Sequence, residues 1–332
     1  MPIRVAIDAM GGDHAPTAAV EGSALALAES DDLAVLLVGQ ADRLNAEIDR
    51  LGLASEALRV VDAADVIGMD ESPAAAVKKK RQSSIHIGLG AHKAGHADAF
   101  VSAGNTGAVM AASLFILGRV SGVSRPSVVT LFPTTQGRCV VLDAGTNVDC
   151  RPEHLVQFAK MGSVYAERVF SAGQASIGLL NIGEEPGKGN ELAKETYDLL
   201  QAEADLNFKG NIEGRDVFNH GADVVVCDGF VGNVMLKFGE SMAGFLKHLF
   251  GAEMKRLHYT PEQMQLVGQV MKGVSRNFDY EETGGAPLLG VNGNVLIGHG
   301  SSSVRAFRKL VLAGAEVARR DVAGSIAAVF NG

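Results

Sequence analysis

Tryptophan is absent from this 332-residue chain, and aromatic residues of all kinds make up only 5% of it. Single-stranded nucleic acids are held on aromatic stacking platforms, so that mode of binding has little to build on. A formal net charge of -8 also argues against a broad basic surface for a phosphate backbone. No nucleic-acid partner is expected. Cysteine is nearly as scarce: Cys139, Cys150 and Cys227 are odd in number, far apart and without a CxxC. Neither a disulfide framework nor a zinc site follows. Cys139 and Cys227 fall in apolar, strand-like runs and read as buried, unreactive thiols. The longest apolar helical run, around Ala108 to Leu117, is far short of a membrane span. The opening Met1-Pro2-Ile3-Arg4 carries no signal-peptide pattern and leads into a strand, so a reducing cytoplasm is the expected compartment.

Several catalytic signatures are missing too. There is no GxSxG elbow, no HExxH, no GxxxxGK[ST] and no intact GxGxxG after a strand. Gly88-Leu89-Gly90 only half resembles the last and sits in a helical stretch. His92 and His96 are four apart, but no acidic third ligand falls at helical spacing, so no metal is expected.

What the chain does have is glycine, 40 residues of it, scattered over loops, and a hydrophobic content of 47%, enough for a large core. Six short apolar runs each stop in a small polar loop. The loops begin at Asp8, Ser102, Asp143, Asn181, Asp228 and Gly298. Strand-like and helix-like runs alternate nearly throughout, which predicts an α/β fold with a mainly parallel sheet covered on both faces. Ile3–Ile7, Leu33–Val38, Leu58–Val61, Ala99–Val101, Val128–Phe132, Cys139–Leu142, Ile177–Leu180 and Val224–Val226 read as strands. No linker or composition break divides residues 1–332, so one catalytic domain is expected. One region departs from the rhythm: a helix pair over about 231–274 is apolar over too wide an arc for one buried stripe. Its cover is intramolecular core, a dimer partner or a membrane surface.

Open parallel sheets bind ligands outside the carboxyl ends of their strands. Glycine there lets backbone N–H groups approach an anion closely, and a following helix adds its positive end. Gly11-Gly12-Asp13-His14 is therefore either a ligand turn, with Asp8 as a second polar group, or a tight turn with Asp13 as a helix N-cap. Gly187-Lys188-Gly189-Asn190 is sharper. A lysine between two glycines has little packing purpose, whereas its ammonium can pair with a phosphate. Gly232-Asn233 opens the long helix, so Asn233 is either its cap or an amide donor aimed at a ligand. Asn105-Thr106 and Thr146-Asn147 carry the same ambiguity. The residues by themselves reach a cytosolic α/β enzyme that handles phosphate.

The motifs also bear a family likeness. Ile7 to Pro16 (IDAMGGDHAP), Ser102 to Gly107 (SAGNTG), Asp143 to Asn147 (DAGTN), Ile182 to Asn190 (IGEEPGKGN), Asp228 to Asn233 (DGFVGN) and Gly284 to Gly290 (GGAPLLG) resemble the bacterial phosphate acyltransferases of phospholipid synthesis. The resemblance covers essentially the whole chain. It implies transfer of a fatty acyl group from acyl carrier protein to inorganic phosphate, with no cofactor or metal. It further implies a three-layer α/β/α fold similar to phosphotransacetylases and the isocitrate dehydrogenase group, a homodimer, and peripheral contact with the inner face of the membrane. Lys188 would hold phosphate and Asn233 would orient it or donate to the oxyanion. The wider substrate set would be Asp8, Gly11, Gly12, Asp13, His14, Ser102, Gly104, Asn105, Thr106, Gly107, Asp143, Asn147, Gly187, Gly189 and Asp228.

Rival readings are a phosphotransacetylase using an acyl-coenzyme A, a dehydrogenase of related fold, and a non-catalytic membrane scaffold. Two basic groups could receive an acidic carrier protein: Lys78-Lys79-Lys80-Arg81, and Arg305, Arg308 and Lys309 on the last helices.

Overall fold

The computed structural model describes residues 2–53, 55–278 and 280–331. Met1, Ala54, Asp279 and Gly332, which the expected domain of 1–332 includes, lie outside the described residues. In chain order the first elements are β1 (Ile3–Asp8), α1 (Thr17–Glu29), β2 (Leu33–Gly39), α2 (Ala41–Leu51), β3 (Leu58–Asp62), α3 (Pro73–Lys79), α4 (Ser84–Lys93), β4 (Ala99–Ser102), α5 (Thr106–Ile116) and β5 (Ser127–Val128). The middle of the chain gives β6 (Thr130–Thr134), β7 (Gly137–Leu142), α6 (Pro152–Phe170), β8 (Ser176–Leu180), α7 (Glu191–Ala202), β9 (Asn207–Ile212), α8 (Gly214–Phe218) and β10 (Val224–Val226). Then follow α9 (Gly229–Arg256), α10 (Pro261–Ser275), β11 (Ala286–Leu289), β12 (Val295–Ile297), α11 (Val304–Arg319) and α12 (Val322–Asn331).

The α/β class holds, and the strands divide into two sheets. The first has seven in the order β3-β2-β1-β4-β12-β11-β5, and the second has five in the order β6-β7-β10-β8-β9. Parallel pairing dominates both, with β11 and β6 running antiparallel to their neighbours. Strands covered on both faces read as unbroken apolar runs. Val224-Val225-Val226 is such a run, and all three side chains are fully buried. Phe158 and Met161 on α6 are likewise fully buried, each contributing about 1.5–3 kcal/mol of burial. One continuous apolar core includes Val5 and Val101 of the first sheet together with Val140 and Val224 of the second.

The segment read from sequence as one strand, Val128–Phe132, changes sheets part-way. Val128 pairs with Leu288 in the first sheet and Thr130 pairs with Val141 in the second. Between them Val129 is fully buried, and its N–H donates to the Pro287 carbonyl at 2.9 Å. Alternating side chains cannot reveal such a crossing, because every residue on either side of it remains strand-like.

The helix pair is mostly exposed. Of the 28 residues of α9 only Gly229, Gly232 and Gly239 are buried, and α10 has no buried residue. At 1.5 Å per residue α9 is about 40 Å long. No helix among the described residues is long and apolar enough to cross a membrane.

Candidate active site

The six polar loops leave the carboxyl ends of two sets of adjacent strands: β1, β4 and β12 in the first sheet, and β7, β10 and β8 in the second. Their convergence thus follows from strand order.

In the first set, the loops after β1 and β4 are knotted together. The buried Asp8 carboxylate accepts from the Ser102 hydroxyl at 2.7 Å and from the Met10 N–H at 3.2 Å, and Ser102 Oγ accepts from the Gly104 N–H at 3.0 Å. Burial pushes the Asp8 carboxyl above its ordinary range, against the pull of these donors. Gly11 lies directly on Gly104, where a side chain would meet the Gly104 backbone nitrogen and the Asp8 carboxylate. Gly12 takes φ +94°, and the Asp13 N–H donates to the Gly300 carbonyl at 2.8 Å, which joins the third loop to the first. Asp13 does not cap α1, whose N-cap is Pro16, and both Asp13 and His14 are exposed. Asn105 is the cap of α5, accepting from the Ala108 N–H at 3.0 Å while its amide donates to the carbonyls of Gly68, Met69 and Glu71. That resolves the Asn105 ambiguity in favour of architecture. Gly107 packs on Pro73, and Thr106 is exposed.

In the second set, Asp143 is fully buried. It accepts from the N–H groups of Gly145 (2.9 Å), Thr146 (2.7 Å) and Asn147 (2.9 Å), and from the Asn147 side-chain amide. Burial again raises its pKa, opposed by these donors. The Asn147 amide also donates to the Pro126 carbonyl at 2.9 Å. Asp228 caps α9, accepting from the Val231 N–H at 2.8 Å. The helix therefore begins four residues before Asn233, which lies in its second turn and has no capping duty. Glycine at 232 is needed for close approach, since any side chain there would run into the Asp143 carbonyl. The second turn of α9 is thereby pressed onto the Asp143 loop.

That contact delivers Asn233 to a crevice between the sheets. Gly145, at φ +122°, would place a Cβ 3.1 Å from Asn233 Cγ and 3.3 Å from its Oδ1. The Asn233 side chain is exposed and makes no hydrogen bond among the described residues. It borders a cavity of about 310 Å³ whose apolar wall includes Met110, Leu131, Leu236 and Leu310. Val128 to Leu131, where the chain changes sheets, also line it. Several polar residues on this cavity were not chosen from sequence, among them Lys237, His299 and Thr283. Lys237, paired with Glu240 at 2.9 Å, lies one helical turn beyond Asn233 and was legible from i,i+4 spacing. His299 belongs to the sixth loop, with Nδ1 2.8 Å from Ser301 Oγ. Thr283, which also lines the cavity, follows α10 with no sequence signal.

The Lys188 loop lies beside a second, mostly apolar hollow of about 340 Å³, bordered by Asn181, Gly189, Asp228 and Val231. The Asn181 amide donates to the Lys188 carbonyl at 3.1 Å, and Gly189 takes φ +90°. Asn190 caps α7, accepting from the Ala193 N–H at 2.9 Å. The Lys188 side chain is exposed and forms no ion pair among the described residues; Gly187 beside it is open on all sides. Lys188 and Asn233 thus follow adjacent strands, β8 and β10, one in a loop and the other in the second turn of α9, and the two segments border different hollows. The three thiols are unsuited to nucleophilic work: burial pushes Cys139 up to about 12 and Cys150 to about 11, and it also raises Cys227 well above the ordinary thiol range.

Solved structures share the fold. A solved phosphotransacetylase from Streptococcus pyogenes superimposes with a TM-score of 0.64 at 18% identity, over 96% of this chain and 94% of that one. A 4-hydroxythreonine-4-phosphate dehydrogenase from Klebsiella pneumoniae gives 0.54 at 13% identity, over 96% and 98%. At such identities the likeness is one of fold. Sequence carries further. The profile of a family described as "Fatty acid synthesis protein" matches residues 3–325. A phosphate acyltransferase from Salinibacter ruber is 52% identical over 330 residues, 99% of this chain and 98% of the relative. With six polar loops gathered at the strand ends and likeness at this level from end to end, the chain belongs to the phosphate acyltransferase family of fatty acid synthesis proteins.

Proposed function

We propose that the acyl donor is a fatty acyl thioester of acyl carrier protein, and that the products are acyl phosphate and free carrier protein. A phosphate oxygen attacks the thioester carbonyl carbon. The tetrahedral intermediate then expels the sulfur with its bonding electron pair, and the thiolate takes up a proton from solvent. Because phosphate is itself the nucleophile, the protein need supply only orientation and electrostatic stabilisation.

In this reading the unpartnered amide of Asn233, pressed against Gly145 on the crevice, donates to the oxyanion; that amide is the observation that carries the proposal. Lys188, without an internal counter-ion, binds and orients phosphate. Backbone around Gly12, Gly145, Gly187 and Gly189 supplies further donors. Asp8, Ser102, Asn105, Asp143 and Asn147 act through the loops they fasten. The test is formation of hydroxylamine-trappable acyl phosphate from purified acyl carrier protein thioester and phosphate. Trapping with an acyl-coenzyme A but not with the carrier protein would replace the donor.

The helix pair is proposed to form the dimer contact of a cytoplasmic enzyme peripherally attached to the inner membrane face. Val234, Phe238, Phe245 and Leu249 on α9, and Leu266 and Val270 on α10, are all exposed, with Phe238 and Leu266 each at 64%. A soluble monomer seldom leaves such a surface bare, and an isologous contact would cover it. Leu257, at the turn between the helices, is exposed and would make weak, reversible contact with lipid. Light scattering is expected to give a dimer, and a monomer would reject the contact. Leu257→Ser with Tyr259→Ser is expected to reduce vesicle binding without dissociating the dimer; undiminished binding would move the membrane contact elsewhere.

A further inference from the structure

Of the two basic groups that could receive an acidic partner, the structure leaves only one with open charge. Arg305 pairs with Glu281 (3.2 Å) and Glu282 (3.4 Å), Arg308 with Glu29 (2.8 Å) and Lys309 with Glu282 (3.8 Å). That group is neutralised from within. In the other, Lys80 is held by Glu71 and by the Val66 carbonyl, while Lys78, Lys79 and Arg81 are exposed and make no ion pair among the described residues.

Lys78 and Lys79 end α3, Arg81 follows two residues later, and α5, which packs against both α3 and α4, carries an apolar spot. Phe115 is 68% exposed and Leu114 is 38% exposed, both on the last turns of α5. The Phe115 ring meets the His86 imidazole edge-on with centroids 6.2 Å apart, and His86 Nδ1 is buried without a hydrogen-bond partner. Arg81 lies close enough to add to the burial that holds His86 below the ordinary imidazole range. An exposed aromatic centre with a charged rim is the usual anatomy of a protein-docking patch.

The patch is also tied to the crevice. Thr106 and Met110 line the cavity beside Asn233, and Leu114 follows at the same four-residue spacing. Residues at i, i+4 and i+8 share one helix face, so α5 presents a track from cavity to patch, about 12 Å long at 1.5 Å per residue. We propose that the carrier protein docks on Lys78, Lys79, Arg81 and Phe115, with its thioester-bearing arm laid along α5 into the Asn233 cavity. This rests on the carrier-protein donor proposed above. An overall charge of -8 gives the patch a further purpose, since an acidic partner is repelled elsewhere.

The test compares the wild-type enzyme with the triple variant Lys78→Glu/Lys79→Glu/Arg81→Glu, and separately with Phe115→Ser. Steady-state rates are measured against acyl carrier protein thioester and against phosphate at two salt concentrations. The triple variant is expected to raise KM for the carrier about tenfold or more, lose the salt dependence of that KM, and leave KM for phosphate unchanged. Phe115→Ser should raise the carrier KM without altering its salt dependence. A wild-type carrier KM in both variants overturns the docking assignment while leaving the donor intact. Loss of binding to phosphatidylglycerol vesicles by the triple variant, with the carrier KM unchanged, overturns it in favour of a membrane surface. A wild-type enzyme that turns over acyl-coenzyme A and not the carrier protein overturns patch and donor together.

Discussion

Lys188→Ala is expected to lower turnover about 100-fold or more while leaving the fold in place. The ammonium makes no ion pair among the described residues, so its removal strands no buried charge. Its stem passes beside Gly183 and the side chain is exposed, and an exposed substitution of this kind shifts stability by about 0.5 kcal/mol or less. Thermal unfolding should therefore match the wild type within a few degrees, separating chemistry from folding. Because the lysine is proposed to bind phosphate, the loss should appear in KM for phosphate as well as in kcat. The KM for the carrier protein should not move. Near-normal activity would remove Lys188 from the reaction and shift attention to Lys237, the paired lysine on the cavity wall.

Asn233→Ala is expected to cost about 100-fold in kcat with little change in either KM, the pattern of a donor used only in the transition state. Had Asn233 capped α9, its loss would have cost about 1 kcal/mol of stability. Asp228 holds the cap instead, and alanine is the better helix former in a second turn. The variant should therefore unfold at or slightly above the wild-type temperature. A destabilised enzyme with normal kcat would return Asn233 to a structural role.

Much of this was legible without coordinates. The strand-to-loop transitions at Asp8, Ser102, Asp143, Asn181, Asp228 and Gly298 are marked by apolar runs ending in glycine and small polar residues, and each of these strands forms. Periodicity also marks helices such as α2, where Leu44, Ile48 and Leu51 keep helical spacing up to its end. β9 escaped notice because Asn207–Ile212 carries Lys209 and Gly210 inside a short run, and β11 because Ala286–Leu289 is brief and contains proline.

The α/β class, the polar strand ends, the inert thiols and the wide apolar arc of the helix pair are legible in the residues alone. These are consequences of local propensity and burial pattern, which act over a few residues at a time. Long-range packing makes the sheet two sheets, because the crossing at Val129 is a matter of which partner each neighbour finds: Leu288 for Val128, and Val141 for Thr130. It alone decided which polar residues are spent on architecture. Asn105 and Asn147 look as available as Asn233 in the sequence, yet carbonyls from distant segments occupy their amides. Asn233 is left free because Gly232 lets the helix settle on the Asp143 carbonyl and Asp228 takes over the cap. Charge obeys the same distinction: Arg305, Arg308 and Lys309 are as basic as Lys78, Lys79 and Arg81, but whether a charge remains open depends on which acidic groups the fold brings beside it.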